Sequence, residues 1–262
     1  TEMGKGYGDI FMVKLGIKKV IVLNSEEVIR EALGKDHNFA GRPNFPTFKA
    51  LLNAGAMDTK SRFTFRTASS LWKFLRRNAI KALGTFAASK SSKLQAVVEE
   101  SREVFHAKIE AKVGRRWDPT QAIFECVASV IGRINFGLEF SVDSPLLKDA
   151  HHATEVIGKF FGVGALINNV PFGEYIFSHK IKEFLATISP LFDFTEQQIL
   201  EHRCSGEVRD IADALYKTAT ETPEDELRAV GANKEQVRLI SQDLFGAPLS
   251  RRQSETPRED CG

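Results

Sequence analysis

Trp72 and Arg76 stand four residues apart in a stretch that reads as helix, so they share a face. Arg76 sits between apolar neighbours, and burying its charge there requires an anionic partner. A planar guanidinium suits a carboxylate, and the indole N–H adds a second donor. The same spacing also fits an exposed cation–π pair. Lys73, Arg77 and Lys81 fall on the adjacent face. They suit the docking of an acidic redox partner through complementary charge, or form a solvated basic face. His151, His152 and Glu155 offer a His/Glu pair at helical spacing, a two-ligand metal fragment with no third ligand placed nearby. A polar helix surface explains them as well. Neither a GxSxG elbow nor a Walker loop occurs. Cys126, Cys204 and Cys261 are odd in number and widely spaced, which points to a reducing compartment and against a disulfide framework or zinc site. Cys126 lies on an apolar helix face and reads as a core thiol.

Residues 160–173, FFGVGALINNVPFG, carry no charge. Fourteen residues are too few to span a bilayer. The segment suits a loop dipping into a membrane surface, a roof over an apolar pocket, or a plain buried connection. Twenty Phe against three Tyr also imply wide apolar contacts. The 262 residues are 42% hydrophobic and 27% charged, an ordinary globular balance in one large domain or two small ones. A net charge of +2 gives no case for a nucleic-acid partner. No run of about 18 apolar residues is present, and the chain opens at Thr1 as if cut upstream of a domain.

The elements that must position these residues are mainly helical. Residues 10–23 alternate as a hairpin broken at Gly16. Asn24, with Glu27 at capping-box spacing, opens a helix to Gly34. Residues 37–69 form a long irregular stretch carrying Phe39, Phe45, Phe48, Phe63 and Phe65, too aromatic for a solvated loop. Helices follow over 70–86 (Trp72, Arg76, Ala79 and Leu83 on one face), 90–113 and 119–136. The last shows Ile123, Val127, Val130 and Ile134 as its apolar face, with Gly137 as its stop. Ser144-Pro145 opens another helix toward Phe161. Pro190 is expected to kink or split the helix over 176–202. Short helices are expected near 208–219 and 233–247, the latter capped by Asn233 and Gln236. Residues 248–262, PLSRRQSETPREDCG, read as a disordered tail.

In this order, YGDIFMVKLGIKKVIVLNSEEVIREAL, FAGRPNF, LWKFLRRNAIKALGTF, IGKFFGVGALINNVPF, GEVRDIADAL and EQVRLISQDLFGA resemble the N-terminal half of animal microsomal cytochrome P450 enzymes. The aryl-hydrocarbon- and steroid-hydroxylating branches look nearest. The resemblance covers about residues 7–247 and implies a partial cytochrome P450 fold over 1–247. That fold is mainly α with a small β-hairpin near the N-terminus, and stops at the start of the long central helix. It implies a haem cofactor with Trp72 and Arg76 on a propionate. It implies a substrate pocket of Phe63, Phe65, Ile157, Phe161, Leu244, Phe245 and Ala247. It implies a docking face of Lys73, Arg77 and Lys81 for NADPH–cytochrome P450 reductase. Residues 160–173 become the contact with the endoplasmic reticulum membrane, on its cytoplasmic side. The implied reaction inserts one oxygen atom into an apolar small molecule. The family's Gly-acid-Thr continuation after FGA, its Glu-x-x-Arg pair and its Cys ligand loop do not follow, and Cys261 lacks the ligand-loop pattern. The chain is therefore expected to be a truncated or mis-spliced product, inactive as it stands. A non-catalytic helical module that binds a hydrophobe or a protein is the rival expectation.

Overall fold

The computed structural model describes residues 2–34, 38–43, 45–47, 64, 66–86, 92–137, 150–153, 156, 160, 166–202 and 208–250, with the backbone alone at residues 2, 3, 92, 93 and 247–250. A short helix α1 (Glu2–Tyr7) leads into the hairpin β1 (Ile10–Leu15) and β2 (Lys18–Leu23), paired antiparallel from Ile10 opposite Leu23 to Leu15 opposite Lys18. The period of two turns Phe11, Val13 and Leu15 inward and leaves Ile10 and Met12 exposed. Gly16 opens the two-residue turn at φ +58, a conformation that costs any residue with a Cβ. It also lies so close to the chain near residue 169 that a Cβ would sit 2.0 Å from the Asn169 carbonyl oxygen. The neighbouring Ile17 N–H donates to that same oxygen at 3.2 Å.

Helix α2 (Glu26–Gly34) starts one residue later than expected. Ser25 Oγ accepts from the first turn, at Val28 N–H, 3.5 Å. The Asn24 N–H extends the hairpin, donating to Asp9 O at 2.8 Å. Helix α3 (Ser70–Phe86) falls where expected, with Ser69 Oγ accepting from Trp72 N–H at 3.1 Å. Its buried stripe is Leu71, Phe74, Leu75, Asn78, Ala79 and Ala82.

Helix α4 (Ser92–Glu110) packs along α5 (Thr120–Phe136). Leu94, Val97, Ser101 and Phe105 face in, while Val98 and Ile109 stay exposed. Pro119 is the N-cap of α5, with Asp118 before it accepting from Thr120 N–H at 2.9 Å, and Gly137 ends the helix at φ +66, as the sequence foretold. The apolar face foretold for α5 is corrected. Ile123, Val127, Val130 and Ile134 are only half-buried, and the buried positions are Ala122, Phe124, Glu125, Ala128, Gly132, Asn135 and Phe136. The reason is that α5 is wedged between two cores and is covered nearly all round. One core joins Phe124, Ala128 and Phe136 to Phe184, Ile188, Leu191 and Phe245. The other joins Leu71, Leu75 and Ala79 to Leu215, Leu227, Val237 and Ile240, with Ile134 packed against it.

Two short turns, α6 (Leu166–Asn169) and α7 (Gly173–Ile176), precede the long α8 (Ser178–Glu201). Helix α8 runs through Pro190, so the expected split does not occur. Ile181, Phe184, Ile188 and Leu191 repeat on the core side and hold the helix from both flanks of the proline. Then come α9 (Ile211–Glu221), α10 (Glu224–Val230), α11 (Lys234–Arg238) and α12 (Ile240–Ser250). Helix α10 was not foreseen. Its signals were the acidic first turn Glu224, Asp225 and Glu226 and the stop at Gly231, φ +70. The Asn233–Gln236 capping box is present in full. The single helix expected over 233–247 breaks at Leu239, and α12 reaches Ser250, past the expected boundary at Ala247. The start of the helix expected from Ser144 and residues 251–262 lie outside the described residues.

Candidate cofactor-edge groove

The N-terminal half of α3 opens one wall of a groove of about 520 Å³, lined by Ala40, Ala68, Trp72, Lys73, Arg76, Arg77 and Ile80. The α3 core stripe is buried against α9 through α12, which turns the next stripe of the helix outward. Arg76 is exposed, not buried between apolar neighbours, because it lies beside that stripe and not on it. Its guanidinium carbon sits 5.1 Å from the centroid of the half-buried Trp72 ring, so the cation–π arrangement is real. Arg77 contacts the Phe74 ring at 5.5 Å and reaches Glu226 on α10 at 3.4 Å. No acid is among the described residues lining the groove; Arg77 is paired with Glu226 outside it, and Lys73 and Arg76 share the groove with the Trp72 indole. That donor set suits an anion on a flat molecule, which a carboxylate-bearing macrocycle provides.

Lys73 and Arg77, expected on a separate docking face, line this same groove. The sequence signal was the consecutive run WKFLRR, whose helical arc is wide enough to put positions 73, 76 and 77 together. Lys81 is exposed and is not among the groove residues.

The opposite wall is held by residues 40–42, 64 and 66–68. Ala68 N–H donates to Ala40 O at 3.4 Å, and Arg42 Nε donates to Thr64 O at 3.1 Å. Thr64 N–H in turn donates to Asp243 Oδ2 on α12 at 3.2 Å. The groove is thereby tied to the helix that carries Leu244, Phe245 and Ala247. Of these pocket candidates, Leu244 is half-buried and Phe245 is buried in the first core. Phe245 is 1% exposed, with its ring 5.5 Å from that of Phe136. Ala247 lies on α12 with only its backbone described, and Phe63, Phe65, Ile157 and Phe161 lie outside the described residues.

The remaining candidates separate. His151 packs edge-on against Phe124 at 4.7 Å, His152 is exposed and Glu155 lies outside the described residues, so the His/Glu fragment assembles no described site. Cys126 Sγ is 3.6 Å from Ser101 O, between α4 and α5 and away from the groove. Among the described residues, His202, Asp210 and Asp213 bring three ligand-type atoms together, a cluster the sequence reading missed. Both ring nitrogens of His202 face acceptors: Nδ1 lies 2.6 Å from Gln198 O and Nε2 lies 2.8 Å from Asp210 Oδ2. The Asp210 hydrogen bond raises the imidazole pKa from its ordinary value near 6.5 against the opposing effect of burial. Asp213 Oδ2 accepts from Arg209 Nε at 2.9 Å, so this cluster neutralises itself and locks α8 to the start of α9. In a second concavity beside it, about 640 Å³, Arg133 is bonded to both oxygens of Glu100 at 2.6 and 3.2 Å.

Residues 1–248 match the family model for Cytochrome P450. The chain is 29% identical over 259 residues to cytochrome P450 1A1 of Platichthys flesus and 28% identical to that of Oncorhynchus mykiss, in each case over 94% of this chain and 49% of the relative. It spans about half the length of the curated relatives it matches. A zebra fish cytochrome P450 with progesterone superposes with a TM-score of 0.72 at 24% identity, covering 95% of this chain and 55% of that one. The same comparison with abiraterone present gives 0.67 at 23% identity. At these identities the superpositions establish the fold.

Proposed function

The chain belongs to the cytochrome P450 family, and we propose that it contributes the propionate-binding edge of a haem site to a monooxygenase. The observation that carries this reading is the α3 groove, where Trp72, Lys73, Arg76 and Arg77 meet without an acid among the lining residues. Trp72 and Arg76 bind and orient one propionate, while Lys73 and Arg77 add field at the same edge. Haem, when bound, supplies the oxygen activation that lets one oxygen atom enter an apolar small molecule. The candidate substrate walls are Phe63, Phe65, Ile157, Phe161, Leu244, Phe245 and Ala247, for a molecule of the class of the progesterone present with the zebra fish relative. Electrons come from NADPH through cytochrome P450 reductase, which docks on the exposed cations of α3, Lys81 included. Among the described residues no thiol lines the groove. The 262 residues alone are therefore proposed to take up haem weakly, with no thiolate-type band in the carbon-monoxide spectrum and no hydroxylation. Haem titration of the full chain tests this: a saturating Soret shift supports the reading, and no uptake contradicts it.

On the same family reading we propose that the chain sits on the cytoplasmic face of the endoplasmic reticulum membrane. No helix of the described residues is long and apolar enough to cross a bilayer. What supports surface contact is a patch of Ile17, Leu166, Phe172, Tyr175 and Ile176, with Phe172 73% exposed and held at φ +55. A bulky residue in that conformation spends backbone energy to present its ring outward. Phe172→Asp with Ile176→Asp should weaken partition onto phosphatidylcholine vesicles by about tenfold or more without lowering the thermal midpoint. Unchanged partition would remove this surface from the account.

A further inference from the structure

Arg66 has a guanidinium that its surroundings do not answer. Its Nε and Nη2 are both shielded from solvent, and neither has a hydrogen-bond partner. These two atoms form one edge of the guanidinium fork, the edge that meets both oxygens of a carboxylate at once. Arg66 as a whole is half-buried, and this shielded edge without a partner carries a cost, so its place in the fold matters.

Arg66 lies between two anchored residues. On one side Thr64 N–H is bonded to Asp243 on α12, and Thr64 O is held by Arg42. On the other side Ala68 is bonded to Ala40, and both line the α3 groove. Thr67 Oγ1 accepts from Arg42 N–H at 3.4 Å. The segment around Arg66 is thus pinned at the junction of the groove and α12.

We propose that Arg66 is a carboxylate-binding residue at this junction. Two sources share that chemistry: a haem propionate, or the acid group of an otherwise apolar substrate. The first source rests on the haem reading above and the second does not.

The test is thermal unfolding of the full chain and of Arg66→Gln and Arg66→Lys, each alone and titrated with haem, haem dimethyl ester and dodecanoate. Without ligand, Arg66→Gln should melt no lower than the parent, because the unpaired charge is gone. With a carboxylate ligand the parent should bind about tenfold or more tightly than Arg66→Gln. Arg66→Lys, which keeps the charge and loses the fork, should fall between and guards against a folding defect in the Gln variant. Discrimination with haem but not its ester identifies a propionate, and discrimination with dodecanoate identifies a substrate acid. If the parent takes up no haem, the cofactor reading fails, and the dodecanoate arm still decides Arg66. Equal affinities of parent and Arg66→Gln in every arm, or no binding of either acid by the parent, overturn the proposal.

Discussion

His202→Ala is expected to cost about 3 kcal/mol of folding stability at pH 5–6, because it strands the Asp210 carboxylate, 2% exposed, without its imidazolium. The ring carries two acceptors, Gln198 O from α8 and Asp210 from the cap of α9, and only the protonated form donates to both. The raised folded pKa sets the sign. The contribution of His202 is fully present below its unfolded value near 6.5 and is lost as pH rises through the higher folded value. The gap between parent and variant, read from urea midpoints across pH 5–9, should therefore be widest on the acid side and narrow with rising pH. A gap independent of pH would mean that the ring acts by packing alone.

Gly16→Ala is expected to lower stability by about 2–4 kcal/mol, from left-handed strain plus a collision with the backbone of residue 169. Gly8→Ala separates these two costs. Gly8 has φ +85, but a Cβ there would meet nothing within 4 Å, so strain alone applies, about 1 kcal/mol. Gly16→Ala should also weaken vesicle partition, since the Ile17–Asn169 bond joins the hairpin turn to the apolar patch. Equal losses at the two glycines would show that the hairpin does not depend on this close approach.

The fold was legible where one physical rule governed. Period-two alternation marked the hairpin, and Gly137 and the Asn233–Gln236 box marked helix ends. It was illegible where tertiary cover overrode the local pattern. Helix α5 has no single apolar face because two cores enclose it, and Pro190 is carried inside α8 by packing on both sides of it. At the site, the spacing of Trp72 and Arg76 foretold their contact. Adjacency along α3 did not reveal that Lys73 and Arg77 enter the same groove, since its other wall comes from residues 40 and 68. The His202–Asp210 pair was hidden for the same reason, being formed across the end of one helix and the cap of the next.

The central claim is that the α3 groove holds haem by its propionate edge, with Arg76 as the main cation. Lys73 is no neutral control, because it lines the groove, whereas Lys81 lies outside it. The most direct test is a Soret-monitored haem titration of the parent chain, Arg76→Ala and Lys81→Ala side by side. A charge-assisted pair of this kind contributes roughly 1.5–3 kcal/mol, so Arg76→Ala should lose about tenfold or more in affinity while Lys81→Ala matches the parent. If Arg76→Ala binds haem as tightly as the parent, the groove is not the propionate site and the account is wrong.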